Sequence, residues 1–304
     1  MIEQKSMSLR AWSEMLLLGT LWGASFVSIR IALNEVGPLT AVAHRVGWAM
    51  IALWIYVWIR GIPLPRGARV WAAFLVMGLL NNVIPFGLMT WGQLHIESGL
   101  TSILNAATAI FGVIMAALFF SDERLGLRKI LGVGLGFAGV VVAIGVENLA
   151  NFDLRSVAQL AVLAGTLSYA LAGVWARKKL GSHPPEVAAA GMLTGTTVVI
   201  LPLAWCIEGQ PSLALAPVTV AAIGYYALLA TAMAYLLYYR VLAMAGAGNL
   251  MLVTLLIPPF AIVLGAVILD EALSPSAYAG FALLALELVV LDGRIWRLVI
   301  GSGR

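Results

Sequence analysis

Residues 249–271 read NLMLVTLLIPPFAIVLGAVILDE, an apolar run with two prolines at its centre. About 20 apolar residues match a ~30 Å hydrocarbon core, a length that no soluble core helix needs. Pro258 and Pro259 remove two backbone donors and disfavour continuous helix through the preceding residue. The stretch is therefore expected to be bent or unwound near mid-membrane. Carbonyls freed in lipid are costly, so such a break belongs where neighbouring helices, side chains or a water-filled cavity satisfy them, which makes Pro258 a candidate cavity residue.

A weaker copy lies upstream. Residues 101–123 form another apolar crossing ending in Asp122-Glu123, against Asp270-Glu271, a shift of 148 from 122 to 270. Gly132 and Gly280 keep that shift, as do Gly145 and Gly293, and Gly19-Thr20-Leu21 recurs as Gly165-Thr166-Leu167. Several echoes at nearly one offset indicate a duplicated half, dividing the chain at 1–150 and 151–304. Ile110 stands where the second copy has Pro258, so the first half lacks the central proline.

Of the 304 residues 62% are hydrophobic and only 11% charged, with a mean hydropathy of +0.99, far from a globular norm of roughly a quarter charged. The sequence is that of an all-α integral membrane protein. A single cysteine, Cys206, excludes an internal disulfide, and His44, His95 and His183 are widely spaced, which argues against a metal centre. No phosphate-binding loop, zinc-binding helix or nucleophile motif occurs, so neither ATP coupling nor an intramembrane enzyme is expected, and no cofactor. The net charge of +4 would suggest nucleic acid in a soluble protein, but here the basic residues sit in short loops that orient helices.

Apolar runs fall at 12–33, 39–59, 70–94, 99–120, 130–146, 157–176, 187–207, 218–239, 250–269 and 278–291, giving ten expected transmembrane helices. The first run is too long for a secretory leader and lacks its cleavage pattern. With the amino terminus in the cytoplasm, Lys5, Arg10, Arg60, Arg66, Arg69, Arg124, Arg128, Lys129, Arg177, Lys178, Lys179, Arg240, Arg294, Arg297 and Arg304 lie inside, and only Arg30, Arg45 and Arg155 lie outside. That bias places both termini in the cytoplasm. Five spans per half then make the copies an inverted repeat, a design of secondary transporters with the substrate site at the repeat interface.

Polar and aromatic residues at mid-depth mark the expected cavity. Trp22 and Ser25 in the first span and Ser168 and Tyr169 in the sixth suit a wall that stacks a ring and offers hydrogen bonds, or else they pack helices. Asn81 and Asn82 in the third span, with Asn105 and Thr108 in the fourth, are expected to face the interior, because amides in lipid would go unsatisfied. Trp91 belongs to the same region. The eighth span carries Tyr225, Tyr226, Thr231, Tyr235, Tyr238 and Tyr239, of which Tyr235 is the cavity candidate by depth and those near the ends are expected in an interfacial belt. Arg30, His44, Arg45, His95 and Glu97 near the outer ends form a candidate gate, with a structural ion pair as the other reading of Arg45. Glu14 and Glu287 are the acids able to carry a proton. Gly19 and Gly23, Gly132 and Gly136, and Gly191 and Gly195 have the spacing that lets helices approach closely, and Thr194, Thr196, Thr197 and Pro202 mark a bend in the seventh span.

The run Leu21-Trp22-Gly23-Ala24-Ser25-Phe26, the pair His44-Arg45 and the Asp-Glu ends after the fourth and ninth spans together resemble the EamA-type transporters of the drug/metabolite transporter (DMT) superfamily, over nearly the whole chain. Within it the sequence is similar to bacterial amino-acid exporters, including aromatic amino-acid exporters of the YddG type. The resemblance implies ten helices, a bacterial inner-membrane location and export of small metabolites by alternating access, with the lipid bilayer as surroundings, no nucleic acid, and a homodimer left open. Other cargoes, such as a nucleoside, a nucleotide-sugar-like compound or an organic cation, stay open as alternatives, as does a non-transport membrane module.

Overall fold

The computed structural model describes residues 8–121, 126–145, 154–180, 183–212, 214–245, 250 and 253–292. Asp122, Glu123, Asn249, Gly293 and the loop before Leu154 lie outside the described residues.

Among the described residues all regular structure is helical. In chain order the helices are α1 (Leu9–Ala32), α2 (Pro38–Ile59), α3 (Ala68–Gly92), α4 (Ser98–Phe119), α5 (Leu127–Ile144), α6 (Leu154–Lys179), α7 (Pro185–Glu208), α8 (Pro217–Ala245), α9 (Val253–Leu269) and α10 (Pro275–Asp292). Seven of them, α1 to α4 and α6 to α8, are long and apolar enough to cross a membrane, while α5, α9 and α10 are shorter apolar helices. Proline opens α2, α7 and α8, where its missing N–H costs nothing and its fixed φ suits the first turn. At α1 the Ser8 hydroxyl accepts from the Ala11 N–H, a side-chain cap. Large apolar side chains face outward in mid-helix, with Val267 76% and Val198 65% exposed, a pattern stable in lipid and costly in water.

The larger helix seams pair off when α1 to α5 are exchanged with α6 to α10. α1 packs on α9 as α4 packs on α6; α1 meets α8 as α6 meets α3; α2 meets α8 as α7 meets α3. The remaining large seams, α2 with α7, α4 with α9 and α5 with α10, are each their own counterpart. Small residues make these approaches possible. A Cβ on Gly23 would stand 2.6 Å from the Phe260 Cβ and 2.7 Å from the Ile257 carbonyl oxygen, so α1 and α9 touch there backbone to backbone. Gly191 and Gly195 meet Phe74 and Leu75 of α3, and Gly132 and Gly136 meet Leu291 and Glu287 of α10, so all three glycine pairs picked out by spacing lie in helix seams.

Departures from α-helical geometry are not centred on Pro258 and Pro259. α9 runs through Pro258 and Pro259 without unwinding; Pro258 is buried and Pro259 exposed. Of the two expected forms, bent or unwound, the unwound one is not met: the segment stays helical, with the Pro259 ring outward. Instead α3 and α8 each carry a π-helical segment, Leu79–Val83 and Tyr225–Met233, at corresponding places in the two halves. α4 is interrupted by a tight turn at Ala106-Ala107, where Ala106 N–H bonds to the Ile103 carbonyl and Ala107 N–H to that of Leu104. The half read as lacking a break therefore has one, close to Ile110.

Carboxylates fasten helix starts at one end of the bundle. Glu208, closing α7, accepts from the N–H groups of Leu39 and Thr40 at 2.8 Å each, and Glu271, after α9, accepts from the Ser98 N–H at 3.0 Å and the Ser98 hydroxyl at 2.6 Å. Both sit where the helix dipole favours negative charge. Arg155 forks onto Glu97 at 2.8 and 3.1 Å, and Glu35 accepts from the Ala216 N–H. At the opposite end Glu14 lies between Arg10 and Arg240, and Arg177 and Lys178 cover Phe120 and Phe119.

Candidate functional site

The site grows out of the two π segments. A π turn leaves backbone groups short of partners, which in lipid must be met from neighbouring helices. The Leu80 carbonyl in α3 accepts the Ser168 hydroxyl of α6 at 2.6 Å, and the Gly78 carbonyl accepts from Thr196 of α7 at 3.3 Å. In α8 the Thr231 hydroxyl donates to the Tyr226 carbonyl at 2.7 Å. These bonds draw polar side chains from α3, α6, α7 and α8 to one level.

Around them runs a side-chain network. Asn82 Nδ2 donates to Thr196 Oγ1 at 2.9 Å, and the Tyr235 hydroxyl donates to Asn82 Oδ1 at 3.2 Å. Asn81 Nδ2 donates to the Tyr235 oxygen at 3.2 Å and to Met192 sulfur at 3.4 Å. Asn82 is 0% exposed, with both ends of its amide engaged, whereas Asn81 is half-buried and its Oδ1 accepts no hydrogen bond.

Arg45 of α2 enters the same level. Its Nε donates to Thr231 Oγ1 at 2.9 Å and its guanidinium lies over the Phe86 ring at 4.0 Å, a favourable cation–π distance. Phe86 meets Tyr169 edge to face at 6.4 Å. Among the described residues Arg45 makes no ion pair; it is a cation held among aromatic rings at the polar centre, apart from the other gate candidates. Sequence position gave its depth along α2; the turn of the helix that faces α3 and α8 decided its neighbours.

Of the sequence candidates the structure brings Asn81, Asn82, Ser168, Tyr169, Tyr235 and Arg45 together. Trp22, Ser25 and Pro258 stand apart along the α1 and α9 seam: Trp22 faces Tyr238 at 6.0 Å between ring centres, and the Ser25 hydroxyl is spent on the Trp22 carbonyl. Asn105 and Thr108 flank the α4 turn, where Thr108 Oγ1 donates to the Asn105 carbonyl at 2.7 Å. Trp91 stacks edge to face on His95 at 4.8 Å, Arg30 donates to the Gln93 carbonyl, and Glu97 holds Arg155, so these gate candidates gather near the C-terminal end of α3. His44 turns to a lipid-facing groove of about 340 Å³ between α2 and α7, lined with Trp48, Leu201 and Trp205. Phe86, Tyr226, Thr196 and Thr231 join the centre unpredicted; the threonines and Tyr226 carried a signal as polar groups at mid-depth, whereas Phe86 carried none.

Among the described residues no cluster of three or more metal-binding side chains occurs. Glu287 is fully buried against Gly136 and Ile110, with both carboxylate oxygens unpartnered.

The model of the EamA-like transporter family matches residues 12–145 and again 156–291. The chain belongs to the EamA-like transporter family. It is a membrane protein, and members similar to it carry transport names. A probable terminal-alkyne amino-acid exporter of Streptantibioticus cattleyicolor is 28% identical over 91% of each chain. A probable amino-acid metabolite efflux pump of Escherichia coli is 24% identical over 95% of this chain and 97% of its own. An uncharacterized transporter of Bacillus subtilis, YoaV, is 23% identical over 87% and 90%. One solved crystal structure shares the fold of this EamA-like chain, with a TM-score of 0.66, 19% identity and coverage of 95% and 98%.

Proposed function

We propose that this transporter exports amino acids or related small metabolites across the bacterial inner membrane, by alternating access of two inverted five-helix halves, 1–150 and 151–304. The observation that carries the reading is the polar centre itself, built by α2 and α3 of one half and α6, α7 and α8 of the other. A site shared by both halves is reshaped whenever one rocks against the other. Support for two halves comes from the double match of the family model and from the pairing of the larger seams. Support for the cargo comes from the names of the relatives from Streptantibioticus and Escherichia. The charge bias of the sequence favours cytoplasmic termini, which puts the cluster of Arg30, His95 and Glu97 at the outer mouth as gate.

The test is counterflow in liposomes holding the purified protein, with a panel of labelled amino acids, a nucleoside and an organic cation. Saturable accumulation of one or more amino acids is expected. Accumulation of only the nucleoside or the cation would overturn the amino-acid reading, and none of any kind would overturn transport of this cargo range.

A further inference from the structure

We propose that the Arg45 guanidinium is the anchor for the carboxylate of the cargo, so that the transporter selects carboxylate-bearing molecules over their neutral or purely cationic analogues; this rests on the exporter reading above. Two contacts already orient the guanidinium for a bidentate carboxylate clamp. Nε is spent on Thr231 Oγ1, whose own proton goes to the Tyr226 carbonyl, and the guanidinium face lies on Phe86. Plane and rotation of the group are thereby set. Among the described residues the two terminal nitrogens have no hydrogen-bond partner, yet neither is sealed among the buried unpartnered atoms, so they face accessible space. No ion pair involves Arg45 among the described residues.

An unpaired cation at this depth is expensive and marks function. A guanidinium edge with two parallel donors matches a carboxylate in a way that no point charge does. For an ammonium, the centre offers only neutral acceptors such as Asn81 Oδ1, so a cation lacking a carboxylate meets the arginine with nothing to offset it.

The experiment measures competition for the best-transported labelled amino acid by that amino acid and by its carboxamide and decarboxylated amine, on wild type, Arg45→Gln and Arg45→Lys. In wild type the acid should compete at least about tenfold better than the amide, the scale expected for one charge-assisted pair. In Arg45→Gln the preference should fall to near unity through loss of acid binding, with amide binding held within a few-fold, which also reports an intact fold. Arg45→Lys should recover only part of the preference. Equal competition by acid and amide in wild type overturns the anchor without needing any variant, and so does an acid preference that survives in Arg45→Gln. Absence of any transported amino acid strikes the exporter reading itself and is recognisable as such, because no competition can then be measured.

Discussion

Asn81 and Asn82 are adjacent in sequence and opposite in role. Asn82 is enclosed and bonded at both ends, so Asn82→Ala strands Thr196 and Tyr235 and should cost about 1–3 kcal/mol, read as a lower melting temperature in detergent. Asn81 keeps a free acceptor, and Asn81→Ala should leave the melting temperature nearly unchanged while slowing counterflow severalfold. Equal stability loss in both variants would count against this division. That both amides are interior was legible because an amide in lipid has no other comfortable place. Which of the two is spent on neighbours was not, since that depends on Thr196 and Tyr235, more than 100 positions away in the chain. Arg45 shows the same limit: its depth is written in the sequence, while its partners depend on the rotation of α2.

Helices are read most surely from their glycines and least surely from their irregular turns. Gly23→Ala should destabilise by about 1–3 kcal/mol, since the added methyl has backbone in its way, whereas Gly173→Ala, with nothing within 4 Å of the new methyl, should be neutral or stabilising by up to about 1 kcal/mol through helix propensity. Thermal unfolding of the two purified variants checks the contrast; equal effects would remove the argument for a tight α1 and α9 seam. Prolines misled in the other direction. They announce a missing donor, and α9 absorbs two of them within one continuous helix. The break at Ala106-Ala107 falls in good helix formers, and Leu79–Val83 and Tyr225–Met233 contain neither glycine nor proline, although Gly78 and Gly224 precede them and Pro85 follows the first. A π segment is one extra residue fitted into a turn; in α3 its partners, Ser168 and Thr196, come from other helices, whereas in α8 Thr231 of the segment itself serves. Local sequence therefore shows only part of it.

For the whole molecule, helix ends sort into two groups that match the crossing order expected from hydropathy. The starts of α2 and α4 lie with the ends of α7 and α9, and the start of α1 lies with the end of α8. Reporter fusions at either terminus should score cytoplasmic and a reporter inserted between residues 147 and 155 should score external; termini on opposite sides would end the inverted-repeat proposal. Hydropathy could mark the helices long enough to cross because each span must satisfy the bilayer on its own. The clasp made by Glu208 has a practical side. Cys206, the single cysteine of the chain, is exposed and stands two residues before that carboxylate, which ties the end of α7 to the start of α2. A thiol-reactive dye or spin label attached there would report on the junction of α2 and α7 in the otherwise native sequence, with no other cysteine to remove.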